Sequence, residues 1–132
     1  MFKNVLFPID ASPEAQQAAF KAAELVKHHQ SHLILLSVVE PSNDAHPEQA
    51  SPEAVAQLLE KAKTVFTNQG IDTEAIEREG NPAFVICDVA DELAADLIVM
   101  GCRGIGLTPE GQSESVSARV INLAPCPVMV VP

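Results

Sequence analysis

Two rhythms of apolar residues run along the chain. Residues 5–9, 33–39, 97–100 and 128–131 form short, essentially continuous apolar runs. Such runs predict strands buried on both faces of a parallel sheet, not the alternation of a half-exposed sheet. A further run, 71–77, reads as a strand too, although acidic side chains interrupt it. Between the runs the period changes to that of a helix. Ala15, Ala18, Ala19, Ala22 and Val26 make one apolar stripe, and Val55, Leu58, Leu59, Ala62 and Phe66 make a second. Ile86, Val89, Ala90 and Leu93 make a third, and Val116, Val120 and Ala124 predict a short fourth helix.

Three of these helices open on the same device. Ser12-Pro13, Ser51-Pro52 and Asn81-Pro82 each place a capping side chain before a proline, whose fixed φ and missing N–H suit the first helical position. Gly70 supplies a stop for the second helix. The order is β-α-β-α-β-α-β-α-β, and right-handed crossovers turn it into an α/β fold. The expectation is a single doubly wound, five-stranded parallel sheet with helices on both faces, flavodoxin-like, occupying residues 1–132 as one domain. Residues 40–50 have no period and read as the one long loop.

Composition narrows the partners. A formal charge of -10, from 8 basic and 18 acidic residues, repels nucleic acid and anionic membrane surfaces. Cys87, Cys102 and Cys126 are far apart and form no CxxC pair, so neither a disulfide framework nor a thiolate zinc site is signalled. No apolar stretch reaches the ~18 residues of a membrane span, and the N-terminus has no leader pattern, so a cytoplasmic protein is expected. The last strand, Val128, Met129, Val130 and Val131, is apolar, and no helix follows it. A bare edge of this kind invites pairing, and a symmetric homodimer through that strand is the natural solution.

Ligands of an open parallel sheet bind outside the carboxyl ends of the strands. Three segments meet there: Pro8-Ile9-Asp10, Ser37-Val38-Val39 and Met100-Gly101-Cys102-Arg103-Gly104. Asp10 is placed either to accept a hydrogen bond from an adenine amino group or ribose hydroxyl, or to organise the turn into the first helix. Gly101 and Gly104 either bring backbone N–H groups to phosphate oxygens or make an ordinary turn.

Several separated segments together resemble the universal stress protein family. They are "NVLFPIDAS", "LILLSVVEP", "GNPAFVICDVADELAADLIVMGCRG" and "SVSARVINLAPCPVMVVP", and they cover nearly the whole chain. The resemblance implies an adenine nucleotide α-hydrolase-like fold, a regulatory role in stress response, and a pocket for ATP or AMP with magnesium as a companion ion. By the same resemblance Asp10 and the backbone around Val38 face adenine and ribose, and Pro8 and Met100 flank the pocket. Gly101, Gly104, Ser115, Val116 and Ser117 surround the phosphates. No reaction is assigned beyond slow ATP hydrolysis at most.

One signature position departs from the family. Nucleotide-binding members carry Gly, two residues, Gly, nine residues, then Gly followed by Ser or Thr; here Gly101 and Gly104 fit, but Glu114 stands at the third glycine, before Ser115. A carboxylate ~4 Å from a phosphate charge would cost on the order of 4 kcal/mol at an effective dielectric of 20 and ~1 kcal/mol in bulk water. Alternatively Glu114 occupies the helix-end anion site itself, or binds a magnesium ion that bridges to phosphate. Two functions therefore stand side by side: adenine-nucleotide binding at a pocket altered by Glu114, and a nucleotide-independent homodimer acting through a protein partner.

Other candidates carry less. Cys102 beside Arg103 reads as a small pocket residue more readily than as a redox thiol. His28, His29 and His32 are close in sequence, but the helix is expected to end before His32, which breaks the facing geometry a metal needs, so they read as a solvated helix end. Ser113, Ser115 and Ser117 have no partner base for nucleophilic catalysis. A phosphoryl-accepting receiver domain is excluded, since the first strand offers Asp10 alone and the third ends in Arg78-Glu79-Gly80.

Overall fold

The computed structural model describes residues 2–9, 13–39, 52–101 and 116–132. In chain order its elements are β1 (Asn4–Pro8), α1 (Pro13–His29), β2 (His32–Val39), α2 (Pro52–Asn68), β3 (Asp72–Glu79), α3 (Pro82–Glu92), β4 (Leu97–Gly101), α4 (Val116–Leu123) and β5 (Val128–Val131). The five strands form one sheet in the order β3-β2-β1-β4-β5, every pair parallel. The doubly wound fold expected from the apolar pattern is the one found. Winding runs from β1 outward through β2 to β3, then returns to β4 on the other flank of β1, so the switch in strand order lies between β1 and β4.

The continuous apolar runs follow from having helices on both faces. Val5 and Phe7 of β1, Leu33 and Leu35 of β2 and Leu97 and Val99 of β4 point into a core shared with Ala18, Ala22 and Val26 of α1 and Val55, Leu59 and Phe66 of α2. The intervening residues Leu6, Ile34, Leu36, Ile98 and Met100 point the other way, onto Ile86, Val89 and Ala90 of α3 and Val120 of α4. Successive side chains of a strand alternate between faces, so a doubly covered strand is apolar along almost its whole length, small Ser37 of β2 being a buried exception. At the centre of the first core the Phe7 and Phe66 rings meet edge to face, 6.2 Å apart and 86° inclined.

Helix ends are set by local chemistry. Asn81 has an extended backbone, and its side-chain oxygen accepts the Phe84 N–H at 3.4 Å, with Pro82 opening α3 as expected. Ser12 and Ser51, the other two expected caps, lie outside the described residues, as does the expected loop at 40–50. Gly70 stops α2 with φ +81, its N–H bonded to Thr67 O at 2.9 Å, while Ile71 N–H reaches Phe66 O at 3.2 Å.

β3 runs two residues beyond the expected 71–77 and begins one residue later. Its pairing to β2 continues to Val39↔Glu79, and its exposed residues include Asp72, Glu74, Glu77 and Glu79. It is an edge strand, which explains why its sequence lacks the continuous apolar character of the others. The start of β1 is pinned by Asp96, whose carboxylate accepts the N–H groups of Lys3 at 2.8 Å and Asn4 at 2.9 Å. Those bonds hold the Asp96 carboxyl below its ordinary pKa. Among the described residues, no helix is long and apolar enough to cross a membrane.

Candidate functional site

In an open parallel sheet a ligand crevice forms where the strand order switches, which here is between β1 and β4 at the carboxyl end of the strands. β1 leaves the sheet still attached to β2, through an Ile9 N–H bond to Leu36 O at 2.8 Å. Pro8 is in register with Leu36, so Val38 stands two residues further along β2, a rise of roughly 7 Å. The β1–β4 ladder ends at Leu6↔Ile98, two residues before Pro8 on β1 and Met100 on β4. Met100 is buried at 6% exposure, whereas Pro8, Val38 and Gly101, at the carboxyl ends of their strands, are half-buried. Val39, buried just beyond Val38, accepts the Gly80 N–H at 2.9 Å, which ties the end of β2 to the turn that starts α3.

α4 packs on one face of the sheet. It begins at Val116, which packs with Val38 and Met100 against the α3–α4 core, and Ser117 is buried at 7% exposure. Because α4 follows β4 and returns antiparallel to the sheet, its amino-terminal end lies at the strands' carboxyl ends. A helix start presents unsatisfied N–H groups and the positive end of the helix dipole, which suits an anionic group. Of the residues expected at a nucleotide pocket, the fold thus gathers Pro8, Val38, Met100, Gly101, Val116 and Ser117 at one end. Asp10, Gly104 and Ser115 lie outside the described residues, as do Cys102, Arg103 and Glu114.

No group of three or more metal-ligating side chains occurs among the described residues. Cys87 is buried between α3 and α4 and Cys126 is half-buried; both are free, and burial pushes both thiols up, away from the reactive thiolate.

The sequence model of the universal stress protein family matches residues 1–132. The chain belongs to that family. A universal stress protein of Synechocystis is 65% identical over 136 aligned positions, covering 100% of this chain and 87% of the relative. A universal stress protein of Thermus aquaticus is 36% identical, with 99% of each chain covered. Among solved structures, a universal stress protein family member from Arabidopsis thaliana with AMP bound superposes at a TM-score of 0.78 and 25% identity, covering 98% of this chain and 90% of its own. Membership makes the chain a stress-response protein of this α/β class.

Two features outside the expected site were not read from the sequence. β5 forms the second edge of the sheet, and beside it an open groove of about 600 Å³ runs along α1, lined by Leu25, His28, Met129 and Val131 among others. At the other end of the sheet, the helix stops before His32, as expected, and His32 opens β2; but the ring is not merely solvated, since its imidazole lies between Asp72 Oδ2 at 2.9 Å and Glu74 Oε1 at 3.0 Å. The signal was available in principle: pairing the run at 33–39 with the acid-bearing run at 71–77 sets His32 opposite Asp72.

Proposed function

We propose that the protein is a regulatory stress-response protein that binds an adenine nucleotide in the crevice between β1 and β4, with its phosphate end modified by Glu114. The observation that carries this reading is the convergence of Pro8, Val38 and Met100 with the Gly101 backbone and the start of α4 at the switch point. Apolar side chains at that depth suit a purine ring, and a glycine followed by a helix start suits phosphate. The AMP held by the Arabidopsis relative of the same fold supports the class of ligand. Asp10, Gly104 and Ser115 take the adenine, ribose and phosphate roles that the family pattern gives them, and magnesium accompanies ATP.

Glu114 sets the affinity in this reading. It replaces the glycine of the family signature, so it adds a negative charge and a side chain at the phosphate end. Calorimetry with ATP, ADP and AMP, with and without magnesium, on wild type and Glu114→Gly tests it. Weak wild-type binding that tightens in Glu114→Gly, by a factor between several-fold and about a thousandfold, is expected from the range of screening. Tight ATP binding unchanged by the substitution overturns the repulsion, and absence of binding by both proteins overturns the nucleotide reading.

A second reading rests on a separate observation, the apolar free edge of β5. Met129, 37% exposed, and its neighbours Val128, Val130 and Val131 form a strand with hydrogen-bonding capacity on its outer side. Pairing of two copies through β5 gives a homodimer able to act on a protein partner without nucleotide. The free thiols Cys87 and Cys126 suit a reducing cytoplasm.

A further inference from the structure

His32 is held in a way that only one of its charge states satisfies. Its Nδ1 meets Asp72 Oδ2 at 2.9 Å and its Nε2 meets Glu74 Oε1 at 3.0 Å. A neutral imidazole has one donor nitrogen and one acceptor, and an ionised carboxylate only accepts. With a neutral ring, one of the two contacts sets lone pair against lone pair. The imidazolium makes both bonds, each charge-assisted.

The three residues bridge a central strand to an edge strand. His32 is the first residue of β2, in register with Asp72, while Glu74 lies one pleat further along β3. Among the described residues β3 has β2 as its only strand neighbour, so its attachment depends on that ladder, on α2 and on cross-strand side-chain contacts. At the far end the same pair is closed by the Gly80 N–H bond to Val39 O at 2.9 Å. The β2–β3 pair therefore carries a polar fastening at each end, and the lower one is ionisable.

We propose that His32, Asp72 and Glu74 form a proton-operated latch on the edge strand, closed when the imidazole is charged and released when it loses its proton. Neighbouring elements bring few other charges to the ring. On the β1 side its register partner is the uncharged Asn4, and Lys3 offers a backbone carbonyl to the His32 N–H at 2.7 Å. The last turn of α1 carries Lys27, His28 and His29, with the His29 ring edge-on to Phe2. The end of α3 carries Asp91 and Glu92, and Glu92 is paired with Arg78 at 3.6 Å. Partial burial lowers the His32 pKa, but the hydrogen bonds the ring donates to Glu74 and Asp72, with the charges of those carboxylates, raise it more, so the net shift is upward. With a folded pKa above the unfolded value, the latch stabilises fully below the ordinary histidine pKa of 6.5, and that stabilisation is lost as pH rises through the raised value. The edge strand is therefore held below the ordinary histidine pKa and loosened as pH rises through the raised one.

The test combines an NMR titration of the His32 ring with amide exchange of residues 72–79, corrected for the intrinsic base-catalysed rate. Exchange protection of these amides should fall about three- to fivefold across the His32 titration, the size of a partly exposed ion pair, while the amides of β1 and β4 stay level. In His32→Gln this extra pH dependence should vanish, and in the double variant Asp72→Asn, Glu74→Gln the ring should titrate lower. All these residues are at least partly exposed, so the variants retain the core. A ring that titrates at or below the ordinary histidine value overturns the proposal. So does a pH-dependent loss of β3 protection that persists unchanged in His32→Gln. Neither readout involves nucleotide, so the outcome is independent of the function proposed above.

Discussion

Gly80 sits at a backbone conformation that other residues rarely adopt, with φ +143, and a Cβ built there would lie 2.9 Å from Val85 Cγ2. Val85 is β-branched and held in the first turn of α3, so it has little freedom to move aside. Gly80→Ala is therefore expected to destabilise the fold by about 1–3 kcal/mol, seen as a lower urea midpoint at an unchanged slope. Asp96 is a different kind of single-residue fastening. Its carboxylate holds two backbone N–H groups at the start of β1 and has a lowered pKa, mainly because of those bonds to Asn4 and Lys3. A depressed folded pKa gives stability that is present above the unfolded value and lost as pH falls through the folded one. Asp96→Ala should lower the melting temperature at neutral pH and lessen its fall towards acid, in thermal scans over a pH series. Neither residue announces its role in the sequence, because each acts on backbone groups that only the fold brings near: Asp96 is more than ninety positions from the amides it caps.

At the scale of elements, burial divides the sheet into strands that tolerate nothing and one that tolerates much. Leu35 in β2 is fully buried, so Leu35→Ala should cost about 2–5 kcal/mol, whereas Glu77→Ala on β3 should stay within about 0.5 kcal/mol by chemical denaturation. This division explains what the sequence made legible. β1, β2 and β4 were evident because covering on both faces demands uninterrupted apolar residues, β5 because it carries the same apolar run although none of its residues is fully buried, and helix stripes because each helix covers one face. The limits of β3 were less so, since an edge strand with exposed acids follows its neighbour's length more than any pattern of its own. For the candidate site, Pro8, Val38, Met100, Gly101, Val116 and Ser117 could be assigned to one end of the sheet because strand order and strand direction suffice to place them. The groove beside α1 and the His32 contacts depend on which strands become neighbours, and periodicity along the chain carries no such information.

On the scale of the whole molecule, the two edges of the sheet are opposites. β3 exposes Asp72, Glu74, Glu77 and Glu79, and charges in that density keep a second chain from pairing there. β5 carries Val-Met-Val-Val with no charge, and beside it the groove along α1 adds Leu25 to the apolar surface, with Lys21 and Glu24 among its other lining residues. A chain with a formal charge of -10 repels its own copies in general, so the proposed self-association is favoured where charge is absent, a condition that the β5 edge meets. Two copies meeting there on a twofold axis would continue the sheet and cover Met129 from both sides. Met129→Asp sets two carboxylates near that axis and removes apolar contact. Sedimentation should then give a monomer mass at concentrations where the wild type gives a dimer mass. The matching change on the other edge, Glu77→Ala, should leave the mass unchanged. A wild-type monomer, or a Met129→Asp dimer of undiminished strength, would show that the apolar edge serves some purpose other than self-association.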